Sequence, residues 1–150
     1  MSHSQLLQDF AAKAELADLR VVALEASFDA PGEGEAIEAR FDASSRVRNE
    51  SDGLYVDYRV RNETEVKDTV GQVLFSIKST WALGFTFSDP PESSDEAVRR
   101  EFQTTVVMMT IAPYVRELVS STAARFGFTG VVFPLIKAGE LRETPATPST

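Results

Sequence analysis

The sequence offers few side chains that could take part in catalysis or bind a metal ion. Its single histidine, His3, stands close to the N-terminus, where chains are usually frayed, and cysteine is absent. Gly32 and Gly34 imitate the start of a dinucleotide-binding loop, but Ile37 stands where the third glycine belongs and a strand pattern follows. A histidine-based triad, thiolate chemistry and a multi-histidine metal site are therefore excluded.

Acidic side chains are numerous, with 23 Asp and Glu against 15 Lys and Arg. Those that can be placed fall in turns or on the polar side of alternating segments, where burial cannot raise a carboxyl pKa toward general-acid use. The net charge of -8 disfavours nucleic acid and anionic lipid as partners. We expect a binding protein with no cofactor, no metal and no enzymatic activity.

Composition indicates a globular protein of one domain. Of its 150 residues, 43% are hydrophobic and 25% charged, which is close to the average for soluble proteins. The N-terminus lacks a cationic start followed by an apolar run, and the longest apolar-rich stretch, 106–112, is too short to span a bilayer. We expect a cytoplasmic protein, and the absence of cysteine suits that compartment.

Hydrophobic periodicity predicts a short N-terminal helix followed by four strands. Ser2 and Gln5 have the spacing of a capping box in front of an amphipathic stretch. Apolar and polar residues then alternate, as in half-buried strands. The alternating segments run from Leu19 to Pro31, Ile37 to Arg48, Leu54 to Arg61 and Val73 to Phe87. Their short connections favour an antiparallel meander, in which the fourth strand is the longest.

Helical periodicity returns after Pro90, which ends the last strand. Ser93 and Glu96 have capping-box spacing at the start of this helical region. Pro113 is expected to kink the helix or to begin a second one, and Gly127 is expected to cap its end. We expect the two helical stretches to cover the apolar face of the sheet.

The predicted fold class is therefore α+β, with a four-stranded antiparallel sheet and helices packed on one face. One domain is predicted for 1–137. Within it, the apolar segment 131–136 contains a proline, which favours an edge strand or an extended lid. The polar stretch 138–150 is predicted to be a flexible C-terminal tail.

Two segments resemble the SecB family of protein-export chaperones. The run 27–31, Ser-Phe-Asp-Ala-Pro, resembles the Ser-Phe-Glu-Ala-Pro segment near the start of those proteins. The run 112–119, Ala-Pro-Tyr-Val-Arg-Glu-Leu-Val, resembles the Phe-Pro-Tyr-Ala-Arg-Glu segment on their helix. The order of the elements is also similar. The stretch 14–20 looks closer to actinobacterial SecB-like chaperones, some of which accompany toxin-antitoxin pairs.

The resemblance implies an ATP-independent holdase that binds unfolded polypeptides in long hydrophobic grooves. It would serve protein export or a dedicated client such as an antitoxin. It also implies a homotetramer, built as a dimer of dimers with the helices at the tetramer interface. The connection 31–35 is shorter than in the family and has no aromatic residue. The deepest part of the usual groove is therefore not expected from this sequence.

The client-binding groove is predicted from apolar side chains on the fourth strand and after the last helix. Ordinary core packing is the alternative interpretation of the same residues, because aromatic side chains on the regular face of a strand usually fill the interior. The predicted groove residues are Trp81, Leu83, Phe85, Phe87, Phe128, Val132 and Phe133.

Glu25 and Asp29 are predicted to point away from the core. The resemblance implies that acidic residues at these positions contact the SecA motor. The alternative for both is a role in solubility, since surface carboxylates are common.

A second class of function is a small α+β enzyme or ligand-binding domain whose apolar cavity takes a lipid-like molecule. The two classes differ in an inexpensive assay. A holdase suppresses the aggregation of a refolding client at stoichiometric amounts without ATP. Failure to do so, together with tight retention of a small molecule, would favour the ligand-binding class.

Overall fold

Four long strands form an antiparallel sheet in the computed structural model, which describes residues 1–128. The strands are β1, Glu15–Phe28; β2, Ala36–Glu50; β3, Gly53–Lys67; and β4, Val73–Phe87. The main helices are α1, His3–Lys13; α2, Glu96–Phe102; and α3, Met108–Arg125. The predicted α+β fold, with its short N-terminal helix, is confirmed. The predicted segment 131–136 and tail 138–150 lie outside the described residues.

The order of the strands across the sheet is β1-β4-β3-β2. Strands β2, β3 and β4 follow one another as hairpins, but β1 lies beside β4 at the far edge. The predicted four-stranded meander is therefore wrong, and the sheet has a Greek-key order instead. The greater length predicted for the fourth strand is also wrong, because β2, β3 and β4 each contain 15 residues.

Residues 29–35 join β1 to β2 and cross the end of the sheet from one edge to the other. The backbone N–H groups of Asp29 and Ala30 donate to the carbonyl oxygen of Leu74, at 2.8 and 3.2 Å. Gly32 has a φ of +155°, and a Cβ atom there would lie 3.2 Å from both Cδ atoms of Leu74. The connection thus packs on a fully buried leucine, and both the backbone and the space favour glycine at position 32.

Alternate residues of the strands form an apolar face that the helices cover. The predicted phase of β2, of β3 and of β4 from Phe75 onward is confirmed, since the apolar side chains assigned to that face are buried or half-buried. The phase assigned to Val73 is wrong, because a register shift pairs Val73 with Lys67 and leaves Leu74 as the buried residue. The opposite side, here called the open face, carries charged side chains that pair across strands. One such pair joins Arg40 to Glu65 at 3.0 Å, and another joins Arg48 to Asp57 at 2.6 Å.

Helix α1 begins with the predicted capping box. The Ser2 hydroxyl accepts a hydrogen bond from the Gln5 backbone N–H at 3.2 Å, and the Gln5 side chain accepts one from the Ser2 N–H at 2.9 Å. Phe10 is fully buried and attaches the helix to the core. Its ring lies 4.8 Å from the ring of Phe87 and 5.0 Å from that of Phe102.

Helix α2 begins one residue after its N-cap, Asp95, whose carboxylate accepts a hydrogen bond from the Val98 N–H at 2.9 Å. This hydrogen bond lowers the pKa of Asp95. The capping box predicted from Ser93 and Glu96 is therefore wrong, because the closer acidic residue takes the cap position.

A π-helical turn, Gln103–Val107, connects α2 to α3, so that the two helices form one continuous run. Pro113 lies inside α3, so no new helix begins at this proline. Gly127 follows the helix with a φ of +88°, and the N–H of Phe128 donates to the carbonyl of Ala123 at 2.9 Å. The predicted glycine cap is confirmed. Among residues 1–128, no helix has the length and apolar character needed to cross a membrane.

Candidate functional site

Large apolar side chains that remain exposed are concentrated on β1. The helices pack over the middle of the sheet and leave much of this edge strand uncovered. Leu24 is 51% exposed and Phe28 is 49% exposed, and three further apolar residues of the same strand are also exposed. Those three are Leu16, Val21 and Val22. A strand at a sheet edge with this many uncovered apolar groups is unusual for an unpartnered surface.

The register with β4 shows which way these side chains point. Val21 pairs with Trp81 and Phe28 pairs with Phe75, and both partners are buried beneath the helices. Directly paired residues share a face of the sheet, so Val21 and Phe28 lie on the helix-covered side. The register shifts between Val21 and Ala23, which leaves Val22 as the extra residue of a bulge.

Helix α3 and its C-cap extend the exposed apolar area with two aromatic side chains. Tyr114 lies 6.5 Å, between ring centroids, from Trp81, and Phe126 lies 5.1 Å from Phe75. Because Trp81 and Phe75 are the β4 partners of Val21 and Phe28, the exposed residues of the helix and of the strand border the same two rings. The resulting area, here called the β1 surface, consists of Leu16, Val21, Leu24, Phe28, Tyr114 and Phe126.

The structure places four of the predicted groove residues in the core. Trp81, Leu83, Phe85 and Phe87 have exposures of 5% or less, as the core-packing alternative requires. The indole of Trp81 donates to the Ser79 hydroxyl at 2.9 Å and lies under Tyr114, so this residue borders the β1 surface. The other three lie further along β4, toward α1 and α2, and Phe85 is the direct β4 partner of the exposed Leu16. Their participation in client binding stays a prediction.

The remaining predicted groove residues follow α3. Phe128 is buried, and its ring lies 5.9 Å from that of Phe28 and 5.7 Å from that of Phe75. This contact puts Phe128 at one end of the β1 surface. Val132 and Phe133 lie outside the described residues.

Glu25 and Asp29 are exposed, as predicted, but they do not form one acidic site. Glu25 is directly opposite Lys78 on the neighbouring strand. Asp29 accepts hydrogen bonds from the hydroxyls of Ser27 at 3.0 Å and Ser76 at 3.5 Å. The predicted contact of both carboxylates with a motor protein stays a prediction.

Sequence reasoning missed all six residues of the β1 surface, since none was predicted as a groove residue and Leu24 and Phe28 were assigned to the apolar face of the first strand. The first strand was predicted to begin at Leu19, and its buried phase was assigned to Val22, because a strict period of two cannot detect a bulge. Tyr114 stands in the segment that resembles the SecB helix. The available indication that Tyr114 is exposed was an aromatic residue directly after Pro113 in a predicted helix.

Buried polar groups in the described part of the chain are engaged in structural hydrogen bonds. The Thr64 hydroxyl donates to Asn62 at 2.8 Å, and the Tyr58 hydroxyl donates to the Arg99 carbonyl at 3.1 Å. Burial raises the pKa of Tyr58, which keeps the phenol neutral. Within residues 1–128 no group of three or more acidic, histidine or cysteine side chains is placed to hold a metal ion. The notable site in this region is the apolar surface.

The architecture is that of the SecB-like chaperones: a four-stranded antiparallel sheet, backed on one face by a long C-terminal helical run. One solved structure with this fold is the SecB-like chaperone Rv1957 of Mycobacterium tuberculosis, in complex with a ChAD peptide from the Rv1956 HigA1 antitoxin. The TM-score is 0.71 at 14% sequence identity, over 89% of this chain and 97% of the other. The predicted SecB-like fold is confirmed. No protein-family model matches the chain, and neither does any curated protein.

Proposed function

We propose that this protein is a chaperone that binds exposed hydrophobic segments of non-native polypeptides and holds them without ATP. The observation that carries the proposal is the β1 surface, a band of exposed apolar side chains between the edge strand and α3. The SecB-like fold supports the same function, since the neighbour of this fold was solved with a peptide from an antitoxin.

Holding by such a surface depends on the hydrophobic effect. An apolar client side chain that covers Leu24 or Phe28 removes apolar area from water on both molecules, and each fully buried side chain contributes roughly 1.5–3 kcal/mol. Because this attraction has no directional requirement, it tolerates many client sequences. The net charge of -8 keeps a loaded complex soluble.

The finer part of the proposal concerns clients and partners. We propose unfolded preproteins or an antitoxin as clients in the cytoplasm, with Trp81 and Phe128 forming the floor of the binding surface. Glu25 and Asp29 are proposed contacts for the SecA motor in the export role. The chain is proposed to act as a homo-oligomer, a dimer of dimers.

Replacing Leu24 and Phe28 together by serine should weaken client holding about tenfold or more. The estimate follows from the loss of two exposed apolar contacts, since about 1.4 kcal/mol corresponds to a factor of ten. The measurement is the amount of protein that halves the aggregation of a refolding client without ATP. The matched control is Val70→Ser, which removes an 84% exposed apolar side chain from the connection between β3 and β4.

Two further measurements keep this experiment decisive. The unfolding midpoint of the double variant should stay close to that of the parent, because both side chains are about half exposed. Its mass by light scattering should also be unchanged. A lower mass would identify the β1 surface as a subunit interface, and holding equal to that of the Val70→Ser control would contradict the proposed function.

The proposed oligomeric state leads to a separate prediction about the mass of the protein in solution. Met109 on α3 is 47% exposed and lies about a quarter turn around the helix from the buried Met108. If the helices lie at a subunit interface, light scattering at micromolar concentration should give a multiple of the 16.5 kDa subunit mass. The variant Met109→Glu should lower that mass, because a charge would be buried without a partner. A monomeric mass for the parent would argue strongly against the SecB-like assembly.

A further inference from the structure

The open face of the sheet carries a group of three basic residues, here called the arginine cluster. Arg46 lies on β2, and Arg59 and Arg61 lie on β3. All three side chains are exposed. Arg59 and Arg61 are two residues apart on one strand and so share a face, while Arg46 is diagonal to Arg59 across the strand pair.

The carboxylates nearest to the cluster are engaged by other cations. Asp57, which is directly opposite Arg46, lies 2.6 Å from Arg48. Glu63, the next open-face residue after Arg61, lies 3.7 Å from Arg40. Because these two carboxylates are paired with Arg48 and Arg40, they form no ion pair with the arginines of the cluster.

Within residues 1–128, no carboxylate oxygen lies within 4.0 Å of a guanidinium nitrogen of Arg46, Arg59 or Arg61. Asp42 is directly opposite Arg61 in the register, but it too is beyond that distance. Three neighbouring like charges that form no ion pair raise the local potential. This is unexpected in a chain whose net charge is -8.

We propose that the arginine cluster is a docking site for an extended acidic segment of a polypeptide. Side chains on one face of an extended chain repeat about every 6.8 Å, which is also the spacing of Arg59 and Arg61 along β3. A segment with carboxylates at alternate positions, lying along β3, can therefore place one carboxylate on each guanidinium. Arginine suits this role because its planar group binds a carboxylate through two parallel hydrogen bonds.

The shape of the open face fits such a segment. A depression of about 430 Å³ lies beside the cluster, lined among others by Arg61, Lys78 and Thr80. Asp42 and Glu63 also line it, and these carboxylates disfavour a continuous run of phosphates. The overall negative charge likewise opposes nucleic acid at long range. An acidic peptide with spaced carboxylates is therefore the favoured ligand class.

This site is independent of the proposed holding function. The β1 surface lies on the helix-covered side of the sheet, and the arginine cluster lies on the other side. Binding at the cluster depends on charge and falls with salt, whereas holding at the β1 surface is hydrophobic. The two proposals can therefore fail separately.

The test is fluorescence anisotropy of a labelled peptide of alternating Glu and Thr, titrated with the full chain at low and at high salt. We expect binding at low salt that weakens at high salt, and no binding of the matching Gln-Thr peptide. The double variant Arg59→Ser/Arg61→Ser should bind the acidic peptide about tenfold or more weakly. Its unfolding midpoint should stay unchanged, because neither side chain forms an ion pair in the described chain.

The control is Arg116→Ser/Arg125→Ser, which changes the net charge equally on exposed positions of α3. This variant should bind the acidic peptide as the parent does. Equal weakening by both double variants would show a general charge effect and overturn the proposal. So would the absence of binding by the parent, or equally tight binding of a single-stranded oligonucleotide of the same charge.

Discussion

Replacing Phe85 by alanine should lower the free energy of unfolding by about 3–5 kcal/mol. The side chain is 4% exposed, and its ring packs edge-on against those of Tyr58 at 5.8 Å and Phe102 at 5.1 Å. Removal of the ring loses these contacts and leaves a cavity that the rigid sheet cannot close. Urea denaturation followed by tryptophan fluorescence, which reports on Trp81, gives the change in unfolding free energy.

The same variant distinguishes a core residue from a groove residue. Holding activity per folded molecule should be unchanged in Phe85→Ala, because a ring that is only 4% exposed offers a client almost no apolar area. Phe28→Ala is the matched comparison: the same truncation at a 49% exposed position should cost far less stability and should reduce holding. A Phe85→Ala protein with native stability and impaired holding would show that Phe85 is a client-binding groove residue and not a core residue.

Phe10→Ala should both destabilise the protein by about 3–5 kcal/mol and release α1 from the core. Phe10 is the fully buried residue of this helix, held between Phe87 and Phe102. An isolated helix of 11 residues is not stable in water, so without this anchor the segment should unfold locally. Amide hydrogen exchange should then lose the protection of α1 selectively, in addition to the drop in the denaturation midpoint.

A change at the helix cap provides the control for Phe10. Ser2→Ala removes the hydrogen bond that the Ser2 hydroxyl accepts from the Gln5 backbone N–H but leaves the phenylalanine ring in place, and should cost only about 0.5–2 kcal/mol. Faster exchange confined to the first turn is the expected pattern. If Phe10→Ala left the exchange of α1 unchanged, contacts outside the ring cluster would be holding the helix, and the assigned anchor would be wrong.

Much of the fold was predictable from local patterns. The alternation from Ile37 onward identified the buried face of β2, β3 and β4, because β2, β3 and, from Phe75 onward, β4 keep an unbroken period of two in the segments that were assigned. The capping box of Ser2 and the glycine cap at Gly127 depend on neighbouring residues alone, so sequence was sufficient. Asp95 was missed as a cap because the Ser93 and Glu96 spacing competed with it.

The position of β1 was not predictable in the same way. Residues 29–35 have a length that also suits a hairpin, and periodicity contains no information on which strand becomes the neighbour. The choice of β4 depends on tertiary contacts, such as the packing of the connection on Leu74. The bulge at Val22 then reverses the assigned phase for part of the strand, and the start at Glu15 lies before the alternation begins.

The apolar character of the candidate site was predicted from the sequence, but the residues that form it were not. An apolar residue on a regular strand face is buried or exposed according to whether a helix covers it, and this depends on the position of the strand in the sheet. Trp81 and Phe85 lie on β4, beneath the helices, whereas Leu24 lies on the edge strand, beyond them. Sequence indicated the chemical character of the surface, and strand order decided which residues form it.

The neighbour of β1 in the sheet comes late in the chain, since Glu15 pairs with Thr86 and Phe28 with Phe75. On the ribosome, β1 is made first and must wait for β4, while β2 and β3 can already pair as a hairpin. During that interval the apolar residues of β1 are in water on an unpaired strand. The growing chain is then an aggregation-prone polypeptide of the same chemical kind as the clients proposed for the finished protein.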